Sequence, residues 1–398
     1  MAMPLVSVVL PTYNRADTIQ RAIRSVQSQT FSDWELIIID DGSKDNTTDI
    51  VAGLDPRFHV VRQTNQGVTA ARNAGLRRAI GRYLAFLDSD DEWLPHHLEL
   101  ETAFLEAHTD EQFVTAEIWE HFGGQRYVKH YQVEAADWYP TLAKKIGSRM
   151  LDLPCGETDN YLRFYSSKKP IGGWGRSIVE KAGFKDVCHY SGNVYAHWRW
   201  GWMTCLQPTL VRRGVLDRVG LFNPKHGIPS DFMFLAECNK HFRSNMLSIP
   251  SCIKHELAGK GVKLGERHIG KGKSAFYVEQ SIYNYLNDEF APSQVAEREL
   301  GRLLQQKALY LAHLAMRHGL RSDGLIYLRQ AAGLSPVPLK VMGLKLLATL
   351  VPHAKICGLV YDGWLRVQYA FNAWVSGNVS LISLLRKALL RLSGRMGD

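Results

Sequence analysis

Apolar runs and polar breaks alternate through the first ~120 residues at the spacing of strand–helix units in a parallel sheet. Val6 to Leu10 is an apolar run closed by Pro11, and a helix follows whose Ile19, Ala22, Ile23 and Val26 fall at i, i+3, i+4 and i+7, one continuous apolar face. Trp34 to Ile39 predicts a second buried strand, Phe58 to Arg62 a third, Val68 to Ala79 a helix, and Tyr83 to Leu87 a fourth strand. Polar residues gather just beyond the strand ends: Tyr13 and Asn14, then Asp40 and Asp41, then Asp88 to Asp91. In an open parallel α/β sheet that carboxyl edge is where ligands bind.

From about 120 to 255 the pattern is less regular and rich in aromatics and histidine. Trp198, Trp200 and Trp202 alternate, so an extended segment would project three indoles from one face, as a wall for a sugar acceptor or as core packing. Beyond residue 293 the chain predicts helices. Leu304, Ala308, Leu311 and Ala315 share one face, a turn near Gly319 to Gly324 precedes a second helix, and Ser335 to Pro338 breaks the pattern before a tail. The expected segments are 1–120, 121–260, 261–334 and 335–398.

Composition, 45% hydrophobic and 22% charged over 398 residues, is that of a globular protein and excludes general disorder. The net charge of +9 favours anionic partners such as nucleotides, diphosphates or an acidic membrane face. Six cysteines, at 155, 188, 205, 238, 252 and 357, form no C-x-x-C pair, which suits a reducing cytosol and argues against a zinc knuckle. No secretory leader and no uncharged apolar run of ~18 residues is visible, so the expectation is a cytoplasmic protein, at most peripheral on the inner face of the membrane. Such attachment would run through residues 337–398, which carry eight Lys/Arg against two Asp. There Leu381, Leu384, Leu385, Ala388, Leu389 and Leu392 make an apolar stripe beside Arg386, Lys387, Arg391 and Arg395, a pattern for an anionic membrane surface or for a docked terminal helix. Because the basic residues concentrate in that tail instead of forming a stripe interleaved with aromatics, nucleic acid is not expected as a partner.

Asp88-Ser89-Asp90-Asp91 is the strongest chemical signal. Three carboxylates in four residues repel one another, and Mg²⁺ or Mn²⁺, which takes one or two carboxylates plus substrate phosphate oxygens, would offset that repulsion. A solvated turn or helix start before Trp93-Leu94-Pro95 is the structural alternative. Asp40-Asp41-Gly42-Ser43 ends another strand, either as a turn or with a carboxylate placed to accept a base N–H. Gly270-Lys271-Gly272-Lys273-Ser274 is not a phosphate loop, since Arg267 stands where the first glycine is needed; a basic flexible loop is expected there.

Val8-Val9-Leu10-Pro11-Thr12-Tyr13-Asn14-Arg15, Ile38-Ile39-Asp40-Asp41-Gly42-Ser43, Asn65-Gln66-Gly67 with Ala71-Arg72-Asn73-Ala74-Gly75, and Phe86-Leu87-Asp88-Ser89-Asp90-Asp91-Glu92-Trp93 occur in order. Together they resemble the family 2 glycosyltransferases, inverting enzymes of the GT-A fold, closely over about residues 4 to 120 and more loosely to about 255. The fold so implied is α/β, a Rossmann-like, mostly parallel sheet flanked by helices, here with a helical C-terminal extension. By the same resemblance, Pro11 and Tyr13 line the base pocket, Asp41 binds the base, usually uracil, and Arg72 lies near the diphosphate. Asp88 and Asp90 form the metal and ribose site with Asp91 nearby, and His255 completes the metal shell. The base that deprotonates the acceptor follows a Gly-Leu-Phe turn, here Val219 to Asn223, which points to Asp231; Ser230 departs from the family's usual acidic pair, and Glu237 is the nearest substitute.

The activity the resemblance implies is transfer of a sugar from a nucleoside-diphosphate sugar, expected to be UDP-linked, to an acceptor hydroxyl, on a glycan or a lipid-linked acceptor of a bacterial surface polysaccharide or glycolipid. Transfer to a protein or soluble glycan, or a non-catalytic nucleotide-sugar-binding subunit of an assembly complex, are the alternatives.

Overall fold

The computed structural model describes residues 3–51, 55–122, 125–129, 161–162, 164–200, 203–226, 229–255, 273–289, 297–317 and 320–334. The chain separates into two units, Met1–Gly270 and Lys271–Asp398.

In the first unit, β1 (Val6–Thr12), β2 (Trp34–Asp40), β3 (Phe58–Arg62) and β4 (Tyr83–Phe86) form parallel pairs in the order β3-β2-β1-β4. The connecting helices are α1 (Ile19–Gln27), α2 (Thr47–Val51) and α3 (Val68–Leu76). The apolar stripe of α1 behaves as its spacing predicts: Ile19, Ala22, Ile23 and Val26 are all buried, in one core with Val8, Leu10, Leu36 and Ile38. Each buried Val, Leu or Ile side chain of that set is worth about 1.5–3 kcal/mol relative to exposure.

Beyond β4 the sheet becomes mixed. β10 (Thr209–Arg212) runs antiparallel between β4 and β6 (Phe113–Phe122), and β11 (Ser244–His255) lies parallel to β6. The antiparallel strands β9 (Cys188–Gly192) and β8 (Ser167–Pro170) close that side. Two short strands attach off this path: β5 (Glu92–Trp93) on β11 and β7 (Gln125–Lys129) on β6. Residue 120 therefore falls inside a continuous strand. Helices α4 (His97–Ala107), α5 (Gly173–Lys181), α6 (Val215–Val219) and α7 (Ser230–His241) complete this unit among the described residues.

Three expectations shift. β1 continues past Pro11 to Thr12. Alternation puts the Pro11 nitrogen on the side of the Val9 carbonyl, which accepts from Leu87 N–H at the end of β4, so proline removes no donor from the pairing of β1 with β2. Helix α3 stops at Leu76 instead of Ala79. The tryptophan segment is not extended: Tyr195–Trp200 is a 3-10 helix, and Trp198 is fully buried edge-on to Phe232, 5.0 Å between centroids. Tertiary packing of one large ring there outweighs the two-residue pattern, while Trp202 lies outside the described residues.

The second unit contains α8 (Lys273–Glu289), α9 (Glu297–Arg317) and α10 (Arg321–Leu334). Leu304, Ala308, Leu311 and Ala315 are buried along α9, and Tyr327 meets Phe276 and Tyr283 while accepting from Gln280 Nε2 at 2.8 Å. Residues 270–272 and residues 335–398, with the basic stripe of the sequence, lie outside the described residues. Among the described residues no helix is long and apolar enough to cross a membrane.

Candidate active site

Strand order reverses between β1 and β4, and the polar loops expected from the pattern meet at that switch point. The first two are tied together: Asn14 N–H donates to Ser43 Oγ at 2.9 Å and Lys44 N–H donates to Asn14 Oδ1 at 2.8 Å. Gly42 makes the turn at φ +81°, and a Cβ there would stand 3.0 Å from Asn65 N and 3.2 Å from Gln63 O. Asp41, 3% exposed, accepts from Gln63 Nε2 and Gln66 N–H on Oδ1 and from Gly67 N–H on Oδ2, at 2.8–2.9 Å. Three of about four lone-pair positions are thus used to hold the Gln63 to Gly67 turn against the end of β2. Pro11 is buried in β1 and Tyr13 beside it is 40% exposed.

The acidic quartet follows β4. Arg72, 3% exposed on α3, donates from Nη2 to Asp88 Oδ1 at 2.9 Å, and its Nη1 lies 3.9 Å from Asp231 Oδ2 on α7. Asp88 Oδ2 also accepts from Gln207 Nε2. Burial alone would raise the Asp88 pKa; the Arg72 charge and hydrogen bond, Lys254 and Gln207 together bring it below the ordinary carboxylate value. Asp231 goes the other way, because enclosure raises it more than Arg72 lowers it, with Asp88 adding to the rise. A carboxylate with a raised pKa is the better proton acceptor.

Asp90 pairs with Arg15 Nη2 at 3.2 Å, and its carbonyl accepts from Arg21 Nη2 at 2.6 Å. Asp91 is wholly buried; first burial, then the charges of Asp90 and Asp88 push its carboxyl well above the usual range. Its Oδ1 accepts from His255 N–H at 3.3 Å, while Oδ2 is buried with no hydrogen-bond partner among the described residues. Pairing of β5 with β11 brings His255 there, and its Nε2 sits 2.9 Å from Glu92 Oε1. Among the described residues no three acidic, histidine or cysteine side chains converge as a protein-only metal site. The buried Asp91 oxygen left without a partner is an atom that a divalent cation completed by substrate oxygens would satisfy.

The arrangement therefore joins Asp88, Arg72 and Asp231, sets Asp90 against Arg15 and Arg21, and brings Asp91 to the backbone of His255. Glu237, two turns along α7, pairs with Lys240 and His241 instead. Residues not singled out from sequence also shape the site. Arg15 and Asn73 stood inside the recognised motifs, whereas Gln207 and Lys254 carry no local signal.

The sequence profile described as Glycosyl transferase family 2 matches residues 7–169. Those residues belong to glycosyltransferase family 2. TuaG of Bacillus subtilis, named for teichuronic acid biosynthesis, is 48% identical over 106 residues, 26% of this chain and 42% of TuaG. WfgD of Escherichia coli, a UDP-Glc:alpha-D-GlcNAc-diphosphoundecaprenol beta-1,3-glucosyltransferase, is 41% identical over 103 residues, 25% of this chain and 41% of WfgD. The chain thus spans about two fifths of the length of these curated relatives. Residues 1–349 of S. aureus TarS, solved with UDP-GlcNAc, share the fold at TM-score 0.52 and 16% identity, over 91% of each chain. The family 2 domain here has the GT-A architecture.

Proposed function

We propose that this chain is an inverting glycosyltransferase that moves a sugar from a UDP-linked donor to an acceptor hydroxyl in bacterial surface polysaccharide or glycolipid synthesis. The observation that carries the proposal is Arg72. Its buried guanidinium joins Asp88 to Asp231, with Nε and Nη1 lacking hydrogen-bond partners among the described residues, and so fixes a positive charge suited to an anionic diphosphate. The UDP-glucose donor and diphosphoundecaprenol-linked acceptor in the name of WfgD support a lipid-linked acceptor in the same chemical class.

In this reading Pro11, Tyr13 and Asp41 form the base pocket. Asp231 takes the acceptor hydroxyl proton as its oxygen bonds the anomeric carbon, and the bond to the nucleoside diphosphate breaks on the opposite face. Arg72 orients the diphosphate and holds Asp231 towards it. Asp90 and Asp91 would hold Mg²⁺ or Mn²⁺; Asp88 would join by exchanging Gln207 for the ion while Arg72 keeps its hold on it, and His255 by exchanging Glu92. When bound, the metal stabilises charge on the departing diphosphate.

The test is transfer from a panel of UDP-sugars to a GlcNAc-diphosphoundecaprenol acceptor. Asp231→Asn is expected to bind UDP as the parent does and to lose transfer; transfer at the parental rate would overturn the base assignment. Thermal shift with UDP, with and without Mn²⁺, is expected to show a metal-dependent gain that Asp90→Ala abolishes.

A further inference from the structure

Asp231 makes few contacts of its own. Its Oδ1 accepts from Phe232 N–H, the next residue, and Arg72 stands 3.9 Å from Oδ2. Its position therefore depends on the backbone that leads into α7, and that backbone is held at both ends by one helix. Asn73 donates from Nδ2 to the Phe222 carbonyl at 2.8 Å and accepts from Phe222 N–H at 3.0 Å. Ser230, immediately before Asp231, shares a 2.8 Å hydroxyl contact with Thr69 in which both groups are buried.

Thr69, Arg72 and Asn73 are spaced i, i+3 and i+4, so they share one face of α3. That helix is seated closely on the sheet. A Cβ at Gly75 would come 2.4 Å from Val9 Cγ1, so only glycine permits α3 to lie this near β1. The Phe222 ring, stacked 4.5 Å from Phe234, lies beneath the Arg72 guanidinium at 5.6 Å.

We propose that Thr69 and Asn73 are positioning residues: together with Arg72 they make α3 a single rigid gauge that sets acceptor-side Asp231 against donor-side Asp88. Serine at 230, where the family pattern has an acid, then acts as the peg that Thr69 engages. The proposal rests on the glycosyltransferase reading and on Asp231 as its base.

The experiment compares Thr69→Val, Asn73→Ala and Asp231→Asn in the full chain for kcat, donor KM, UDP affinity and the pH profile of kcat. Thr69→Val and Asn73→Ala are expected to lower kcat about tenfold or more while UDP affinity stays within about twofold. Their acid limb is expected to move to higher pH, because Arg72 lowers the Asp231 pKa and a displaced Asp231 loses part of that effect. Parental kcat and pH profile in both variants, with Asp231→Asn inactive, overturns the positioning role alone. Equal losses in UDP affinity and kcat also overturn it, since they mark a general structural defect. If Asn73→Ala does not fold, Thr69→Val decides, because it removes one hydroxyl at nearly constant volume. A parent protein that neither binds UDP nor transfers sugar overturns the functional reading and the positioning role with it.

Discussion

Replacing Arg72 with methionine removes the cation between two carboxylates while keeping an unbranched side chain of similar length. At an effective dielectric of about 20, charges at the observed 2.9 and 3.9 Å attract by roughly 6 and 4 kcal/mol before desolvation is subtracted. Removing one partner of a buried pair costs about 3–5 kcal/mol net, because the remaining charge stays desolvated. Asp88, held below its ordinary pKa by Arg72, would then rise with Asp231 into the raised range that burial dictates. The sign of the pH effect follows. A carboxyl depressed in the folded state contributes stability above its unfolded pKa, whereas one raised in the folded state costs stability at neutral pH and regains it as pH falls through the raised value. The stability gap between the parent and Arg72→Met should therefore be widest near pH 7, about 3–5 kcal/mol, and narrow towards about pH 4. Urea unfolding across that window measures it. A gap that stays flat, or remains below about 1 kcal/mol at pH 7, would refute the view that Arg72 compensates these carboxylates.

Buried His97 and His96 have pKa values lowered to about 3 and about 4 by desolvation, so both fold neutral. Since the unfolded chain binds these protons near 6.5, stability should fall below that pH by about 1.4 kcal/mol per pH unit for each histidine, as acid titration of unfolding would show. Gly42→Ala should cost about 1–3 kcal/mol in thermal unfolding, through its positive φ and the crowding at Asn65. Asp41→Ala should strand the Gln66 and Gly67 amides and weaken UDP binding about tenfold or more by calorimetry; unchanged affinity would remove Asp41 from the base pocket.

The elements of the amino-terminal half were legible because their signals are local. A strand buried on both faces must be largely apolar, as Leu36 to Ile39 is, and a helix lying on a sheet must repeat its apolar positions at 3.6 residues, as Ile19 to Val26 does. Family motifs added roles to residues that the pattern alone left ambiguous. The mixed half was less legible, because antiparallel insertion of β10 and the pairing of β5 with β11 depend on partners more than a hundred residues away. Trp198 shows the same limit: alternation left an acceptor wall and core packing both open, and the space beside Phe232 decided for a ring buried in a 3-10 turn.

By itself, then, the sequence determined the α/β character, the strand ends that carry polar residues and the identity of the acidic quartet, since each depends on neighbours within a few positions. Tertiary structure alone decided that Arg72 lies between Asp88 and Asp231, that Asn73 clasps Phe222 across 149 residues, and that Gln207 and Lys254 belong to the same site. The reason is physical. Charge compensation and desolvation depend on distances through space, and only the closed sheet sets those distances.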